Sequence, residues 1–449
     1  MDQTTENLAK LGVMIPQVSV PSKNIDIEKW AVVACDQFTQ DKDYWKRVDD
    51  FAGGAPSTLN IIFPEAYLGD DDKTQRITKI HRAMADYVKD EYSRDNAMLL
   101  PPRRAGVFVE RQCLHGVRRG LIIAFDLEQY DWRKDSHTLI RPTEETIVER
   151  LPPRVEIRMN APLECPHILV LVDDDQNILM QLLVKLLKKA PLAYDGALMF
   201  DGGSVSGRLL YRKNDWDFIA DTLNHLLRSA QTQFGSDFLF AVGDGNHSFA
   251  TAKEVWTRYK AEHAGEEGLE HHPARWVLAE IVNLHDGALV FKPIHRLLLK
   301  VKYEAALSAL RKLPDFSAQE VGSQDELARL TAEENTPHNR YGVVSRDKLL
   351  LVESRGGYAA TIDVDPLLSA LVKETEGAAI DYIHGDAQLF DFARGQAAQT
   401  ENVGILLPPF RKDGFFKSVV KNGPLPQKSF SMGEASEKRY YLECRKLFC

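Results

Sequence analysis

The sequence predicts an α+β fold in which mixed sheets are covered by helices, and three observations carry that expectation. Short β-rich runs recur through the chain, apolar residues at helical spacing form stripes between them, and the returns between strands are hairpin-like. No repeat, low-complexity tract or Gly/Ser linker interrupts the 449 residues, so closely packed subdomains are expected rather than tethered ones.

Taken in order, residues 76–92 place Ile77, Ile80, Met84, Tyr87, Val88 and Tyr92 on one helical stripe. Strands then read at "RAGVFVERQ", "RRGLIIAFDL", "HILVLVDDD", "ALMFDGG" and "GRLLYRK". A helix over 217–230 aligns Phe218, Ile219, Leu223, Leu226 and Leu227, and strands follow at "DFLFAVG" and "GALVFKPIH". Beyond residue 300 come a helix at 303–312, an acidic helix near 324–334, and the strands "RYGVVS" and "KLLLVES" joined by the turn-like "RDK". The tail adds a helix, "DPLLSALVKETE", then "VGILLPPF", then the strand-like "KRYYLECRK", placed to pair back into an earlier sheet. The expected organisation is a main α+β domain over 1–298, a small α/β subdomain over 299–365, and a C-terminal segment over 366–449 that packs back on the main domain.

Composition narrows the function classes. Hydrophobic residues make up 44%, charged residues 27%, and the net charge is −9, which describes a globular chain without the basic surface that nucleic acid demands. The five cysteines are scattered and never form a CxxC pair, so neither a disulfide framework nor a zinc knuckle is indicated. The N-terminus carries acids where a signal peptide needs bases, and no apolar run reaches membrane-spanning length. A cytoplasmic protein with a small-molecule ligand is expected, and its oligomeric state, homo-oligomer included, stays open.

The stretch that carries chemistry is "LFAVGDGNHSFATAK", residues 239–253. An apolar strand ends in Gly243, Asp244, Gly245, Asn246, His247 and Ser248, and a helix begins whose Ala252, Val255, Trp256 and Tyr259 share one face. A helix start after a strand offers unpaired N–H groups and a positive dipole end, and glycines let the backbone approach an anion closely. Asp244 and His247 add groups able to bind a metal, a ligand hydroxyl or a proton. The plain structural alternative is that Asn246 or Ser248 merely caps the helix. Two further polar stretches compete for a role. "LIRPTEETIVERLPPRVEIR" holds Arg141, Glu144, Glu145, Arg150, Arg154 and Arg158 and reads equally well as a solvated face or a functional stretch, and "VFKPIHRLL" holds Lys292, His295 and Arg296, for which a core or capping role competes evenly with a ligand contact. The loop 243–248 is expected to line the principal polar pocket, with Arg141, Glu144 or Glu145, and His295 or Arg296 converging on it.

With "VGDGNHSFATA" as its centre, and "RRGLIIAFDLEQYD", "IRPTEETIVERLPPRVEI", "LVFKPIHRLL" and "LPQKSF" around it in the same order, the chain resembles the DUF 1015 family over nearly its whole length. The family's loop is of the Asp-Gly-His-His-Arg type, and through it the chain more distantly resembles the ParB/sulfiredoxin-like superfamily, whose members bind nucleotides and include kinases of free serine. The resemblance implies a ParB/sulfiredoxin-like core around the loop and a nucleotide-dependent phosphotransferase or nucleotide hydrolase acting on a hydroxylated metabolite such as serine, with ATP or ADP and Mg²⁺. It makes Glu144, Asp244 and His247 the catalytic candidates, and Gly243, Gly245, Asn246 and Ser248 the phosphate-side loop. Ser248 stands where relatives have arginine and Asn246 where they have histidine, so Arg141, Lys292 or Arg296 would have to supply the missing cation, with His295 a further cofactor-binding candidate. The alternatives are a non-catalytic nucleotide-responsive module and a metal-dependent hydrolase using Asp244, His247 and His295; the sequence names no metal ligand set.

Overall fold

A computed structural model describes residues 2–93, 97–333, 338–394 and 401–448, and it is a mixed α/β structure. The chain divides into two compact units, residues 1–289 with 433–449, and residues 290–432.

The first unit is built on a nine-stranded sheet. Its strands are β1 (Val13–Met14), β2 (Gly106–Cys113), β3 (Gly116–Asp126), β4 (Ile140–Pro142), β6 (Leu169–Val172), β7 (Leu192–Ala197), β8 (Ser204–Leu210), β9 (Phe240–Asp244) and β10 (Trp276–Asn283); β5 (Leu163–Glu164) lies outside it. The order is β4-β9-β6-β10-β3-β2-β8-β7, with β1 added on β3. The β2–β3 and β7–β8 returns are antiparallel hairpins, whereas β4 is parallel to β9 and β6 is parallel to β10. The central strands are continuously apolar because both faces are covered: every residue from Leu121 to Asp126 and from Leu169 to Val172 is buried. Helices Lys213–Phe234 and Asn246–Glu262 bury Trp216, Leu223, Phe249 and Trp256 into one core, and helix Lys73–Lys89 buries Ile80, Met84 and Tyr87 into another.

The expected strand "ALMFDGG" is displaced. The strand ends at Ala197, because Phe200 and Asp201 take positive φ (51° and 62°) and, with Gly203, make the turn into β8. The "KRYYLECRK" segment forms regular strand only at β18 (Arg445–Lys446), which pairs with β5. Its remainder is tied by single bridges, Val33 to Tyr440 and Ser19 to Cys444.

The second unit holds a seven-stranded sheet of β11 (Phe291–Leu299), β12 (Ser317–Glu320), β13 (Asn339–Val344), β14 (Leu349–Ser354), β15 (Ala379–His384), β16 (Val403–Leu406) and β17 (Phe430–Met432). This unit takes in residues on both sides of 299–365, because β11 pairs with β15, β16 and β17. Helices Tyr303–Leu310 and Gln324–Thr331 stand near the expected positions, although residue 334 of the expected acidic helix lies outside the described residues. Among the described residues no helix is long and apolar enough to cross a membrane.

Buried charge fastens the segment 433–449 into the first unit. Arg439 lies 2.9 Å from Glu280 and 2.5 Å from Glu443, donates to the carbonyls of Pro166 (3.1 Å) and Tyr440 (2.7 Å), and Glu443 accepts the Tyr194 hydroxyl. Gly120 faces this cluster, and a Cβ there would come within 2.2 Å of Glu280 Oε1. Further along, Arg445 Nε donates to Glu164 Oε1 at 2.6 Å and Arg158 binds the other oxygen. Burial alone would lift the Glu164 carboxyl, but Arg445 and Arg158 hold it below the usual carboxylate range. A carboxylate whose folded pKa lies below its unfolded value stabilises the fold above the unfolded pKa and loses that contribution as pH falls through the folded one. Glu164→Gln should therefore cost about 3–5 kcal/mol near neutral pH, the scale for leaving buried partners uncompensated. The gap to wild type should close as pH drops below about 4. Urea unfolding across a pH series reads this directly, and a gap independent of pH would show that shape rather than charge is responsible.

Candidate functional site

Three strands of the first sheet bring their ends together at one edge. Because β4 and β9 are parallel, Thr143 and the loop after Asp244 emerge side by side; because β6 is antiparallel to β9, His167 and Ile168 enter at the same edge. Ligands in α/β sheets gather at such carboxyl ends, where helices also begin.

The backbone of the loop is fixed by the protein itself. Gly243 is the extra residue of a bulge, since the pairing of β9 with β6 shifts between Val242 and Asp244. Gly245 has φ +77° and is the N-cap of the Asn246–Glu262 helix. A Cβ on Gly245 would stand 3.0 Å from Ile168 Cγ1 and 3.3 Å from Ile168 Cα, so glycine is needed for packing as well as for the left-handed turn.

Neither Asn246 nor Ser248 caps the helix, which starts with no side-chain cap. Asn246 Oδ1 accepts the Thr143 N–H at 3.3 Å and its Nδ2 donates to Thr143 Oγ1 at 3.2 Å, while that hydroxyl donates to Val242 O at 2.7 Å. Ser248 Oγ lies 2.8 Å from His167 Nε2. The first-turn N–H groups have no acceptor one turn back within the helix, and their dipole is positive.

Charged groups from distant parts of the chain surround this start. Asp244 Oδ1 accepts the Gly245 N–H at 3.1 Å, and Oδ2 lies 3.4 Å from Nζ of the buried Lys438. Asp36 lies in the same electrostatic neighbourhood. Burial works against its charge, but His167, the Gln37 amide at 2.9 Å and Lys438 hold it below the usual carboxylate range. Glu65, bound by Arg154 Nε at 2.7 Å, moves the other way, because burial lifts its carboxyl despite the arginine. The segment is aligned by backbone: Glu65 N–H donates to Cys35 O at 2.8 Å and Ala34 N–H to Arg439 O at 2.9 Å.

The residues singled out from sequence are distributed unevenly. Glu144 follows Thr143 and is half-buried, Glu145 is exposed, and His247 is half-buried in the first helical turn. Arg141 turns to the opposite end of its strand, donating to Thr138 O at 2.9 Å and Ser236 Oγ at 2.7 Å and stacking over Phe238. Lys292, His295 and Arg296 lie on β11 of the second unit. There His295 Nε2 is 2.9 Å from Asp386 and its Nδ1 accepts the Leu407 N–H, while Arg296 forks onto Asp365 at 2.9 and 2.7 Å. The buried His295 and Arg296 are thus engaged with partners of their own, and Lys292 is half-buried beside them on the same strand. A cavity of about 830 Å³ in the first unit is lined by Lys42, Trp45, Phe63, Tyr67, Arg76 and others, and residues 243–248 are not among them. Among the described residues no three His, Cys, Asp or Glu side chains cluster as a metal ligand set.

Asp36, His167 and Lys438 escaped the sequence reading. The one local signal was a histidine placed directly before the buried run "ILVLV".

The model of DUF1015, described as a protein of unknown function, matches residues 18–376. The chain belongs to the DUF1015 family. No curated protein matches it. Among solved structures, this DUF1015 chain is similar to a mutant free serine kinase in complex with AMP, at 11% identity and a TM-score of 0.38 over 73% of this chain and 92% of that one. It is also similar to a conserved hypothetical protein from Pyrococcus furiosus (12%, TM-score 0.35, 72% and 94%) and to SbnI with a C-terminal truncation from Staphylococcus aureus (10%, TM-score 0.33, 70% and 83%).

The packing requirement at Gly245 is testable against an internal standard. Gly54 has almost the same φ, +78°, with nothing within 4 Å of where a Cβ would stand. Gly54→Ala should cost about 1–2 kcal/mol from the left-handed backbone alone, and Gly245→Ala should cost measurably more in the same denaturation assay. Equal losses would show that Ile168 yields freely.

Proposed function

We propose that residues 243–248 with Lys438 and Asp36 form a phosphate-binding site, and that the chain is a nucleotide-dependent phosphotransferase or nucleotide hydrolase acting on a small hydroxylated metabolite such as serine. The observation that carries this reading is the uncapped helix start: its N-cap is a glycine, the polar side chains of its first turn, Asn246 and Ser248, are committed to Thr143 and His167, and a buried ammonium stands 3.4 Å from Asp244. A phosphate there gains from both the dipole and the charge. The likeness of the loop to those of the ParB/sulfiredoxin-like superfamily supports the same reading and suggests such a core around it.

Phosphoryl transfer asks a protein mainly for positioning and charge neutralisation. Lys438 and the first-turn amides orient the phosphates, and the Asn246–Thr143 bonds keep the loop rigid. Mg²⁺ on a nucleotide draws on only one or two protein carboxylates; Asp244 and Asp36 are the candidates to hold it, and the ion would neutralise phosphate charge. Glu144, beside Thr143 at the same edge, is the candidate base for the acceptor hydroxyl, and His247 borders the phosphate side.

Calorimetric titration with ATP and ADP, with and without Mg²⁺, tests the reading. Wild type should bind, and Lys438→Met should weaken binding by about tenfold or more, the scale of a hydrogen bond to a charged group. Glu144→Gln should leave affinity nearly unchanged, and Asp244→Asn should leave affinity measured without Mg²⁺ nearly unchanged, while for both turnover with serine or related hydroxy compounds falls by roughly 10²-fold or more. Binding without turnover in wild type would reduce the protein to a nucleotide-responsive module, and no binding under any condition overturns the proposal.

A further inference from the structure

Ser248 is more than a replacement for a lost cation. Its Oγ lies 2.8 Å from His167 Nε2, and His167 Nδ1 lies 3.0 Å from the Tyr441 hydroxyl oxygen. That oxygen also accepts the Cys35 N–H at 3.2 Å. In the tautomer with its proton on Nδ1, His167 donates to the Tyr441 oxygen. Nε2 then carries a lone pair toward Ser248.

A hydroxyl bonded to an imidazole that a third group orients is the arrangement that activates a serine nucleophile. Three features make it more than a packing contact. His167 is buried and its ring is fixed on both sides, Ser248 is only partly buried, and Ser248 sits in the first turn of a helix, where negative charge developing on a transferring group is stabilised.

We propose that Ser248 is a covalent nucleophile, with His167 as its base and Tyr441 as the group that orients the imidazole. The inference rests on the nucleotide reading above. In the first half-reaction Ser248 Oγ attacks the terminal phosphorus of a nucleoside triphosphate. The Oγ–P bond forms, the bond from phosphorus to the bridging oxygen breaks, the diphosphate leaves with the electron pair, and the serine proton moves to His167 Nε2. In the second, a hydroxyl of the acceptor or of water attacks the phosphoserine, its proton passing to Glu144 and then to solvent. The P–Oγ bond breaks, and His167 returns its proton to Ser248. The sum is transfer of one phosphoryl group with release of one proton.

The test uses the full-length chain with ATP labelled in its terminal phosphate, followed by acid quenching and peptide mapping, alongside calorimetric binding. Wild type should carry acid-stable label on Ser248. Ser248→Ala should bind ATP nearly as wild type does, take up no label, and lose turnover by at least about 10²-fold. His167→Gln, which keeps a hydrogen-bonding side chain of similar reach, should bind ATP but label slowly. Ser248→Ala that binds and turns over at the wild-type rate overturns the covalent role while leaving the nucleotide reading intact. Label lost in acid, as from a phosphorylated imidazole, moves the nucleophile to histidine and overturns it too. Failure of wild type to bind nucleotide at all overturns both readings. If Ser248→Ala fails to fold, the label on wild type still decides.

Discussion

The buried guanidinium of Arg439 fastens the C-terminal segment to the first unit. Arg439 is enclosed by Glu280, Glu443 and two carbonyls, and Glu443 also accepts the Tyr194 hydroxyl. Burial opposes its charge, but the two carboxylates keep it firmly protonated. Charges this deep are tolerable only together, since removing one strands the others. Glu280 belongs to β10 and Tyr194 to β7, so the cluster clamps a late piece of chain to two strands of one sheet. Lys438, Tyr440 and Tyr441 flank Arg439 in sequence, and Pro166, one of its carbonyl partners, precedes His167. The candidate site is thus positioned by residues whose first duty is to neutralise a buried cation.

The site itself follows from strand direction. Had β4 run antiparallel to β9, Thr143 would lie at the far edge and Asn246 would have kept its side chain for the helix. Instead the Thr143 contact draws Asn246 away, His167 draws Ser248 away, and the helix begins without a cap. A helix start whose N-cap is a glycine leaves its first N–H groups without a side-chain acceptor, and a bound anion is one way to satisfy them.

The legible part of this chain was the local part. The alternation of β-rich runs and helical stripes gave most strands and helices near their places, and a strand, two glycines and a helix within fifteen residues marked the loop 243–248. What sequence could not give was direction and long-range pairing. Arg141 lies on a strand that ends at the site, yet its side chain runs back toward Ser236, and no local pattern distinguishes the two orientations. His295 and Arg296 looked like ligand groups because a strand ended in cations, but Asp386 and Asp365, which neutralise them, lie 91 and 69 residues away. The same distance hid Lys438, whose partner Asp244 is nearly two hundred residues earlier in the chain. Strand "ALMFDGG" failed for a smaller reason: two non-glycine residues accept a left-handed backbone that propensity disfavours.

The return of residues 433–449 to the first unit reverses the usual order of synthesis. Domains ordinarily fold N-terminal first as the chain leaves the ribosome. Here residues 290–432, continuous in sequence, have every strand of their sheet before Arg439 has been translated, whereas the first 289 residues hold Glu280 without Arg439, and Glu164 with Arg158 alone, until residues 439 and 445 have been made. The earlier-made unit is therefore the later to mature, and a premature stop between residues 432 and 438 would spare the second sheet while leaving the first without Arg439 beside Glu280 and without Lys438 beside Asp244.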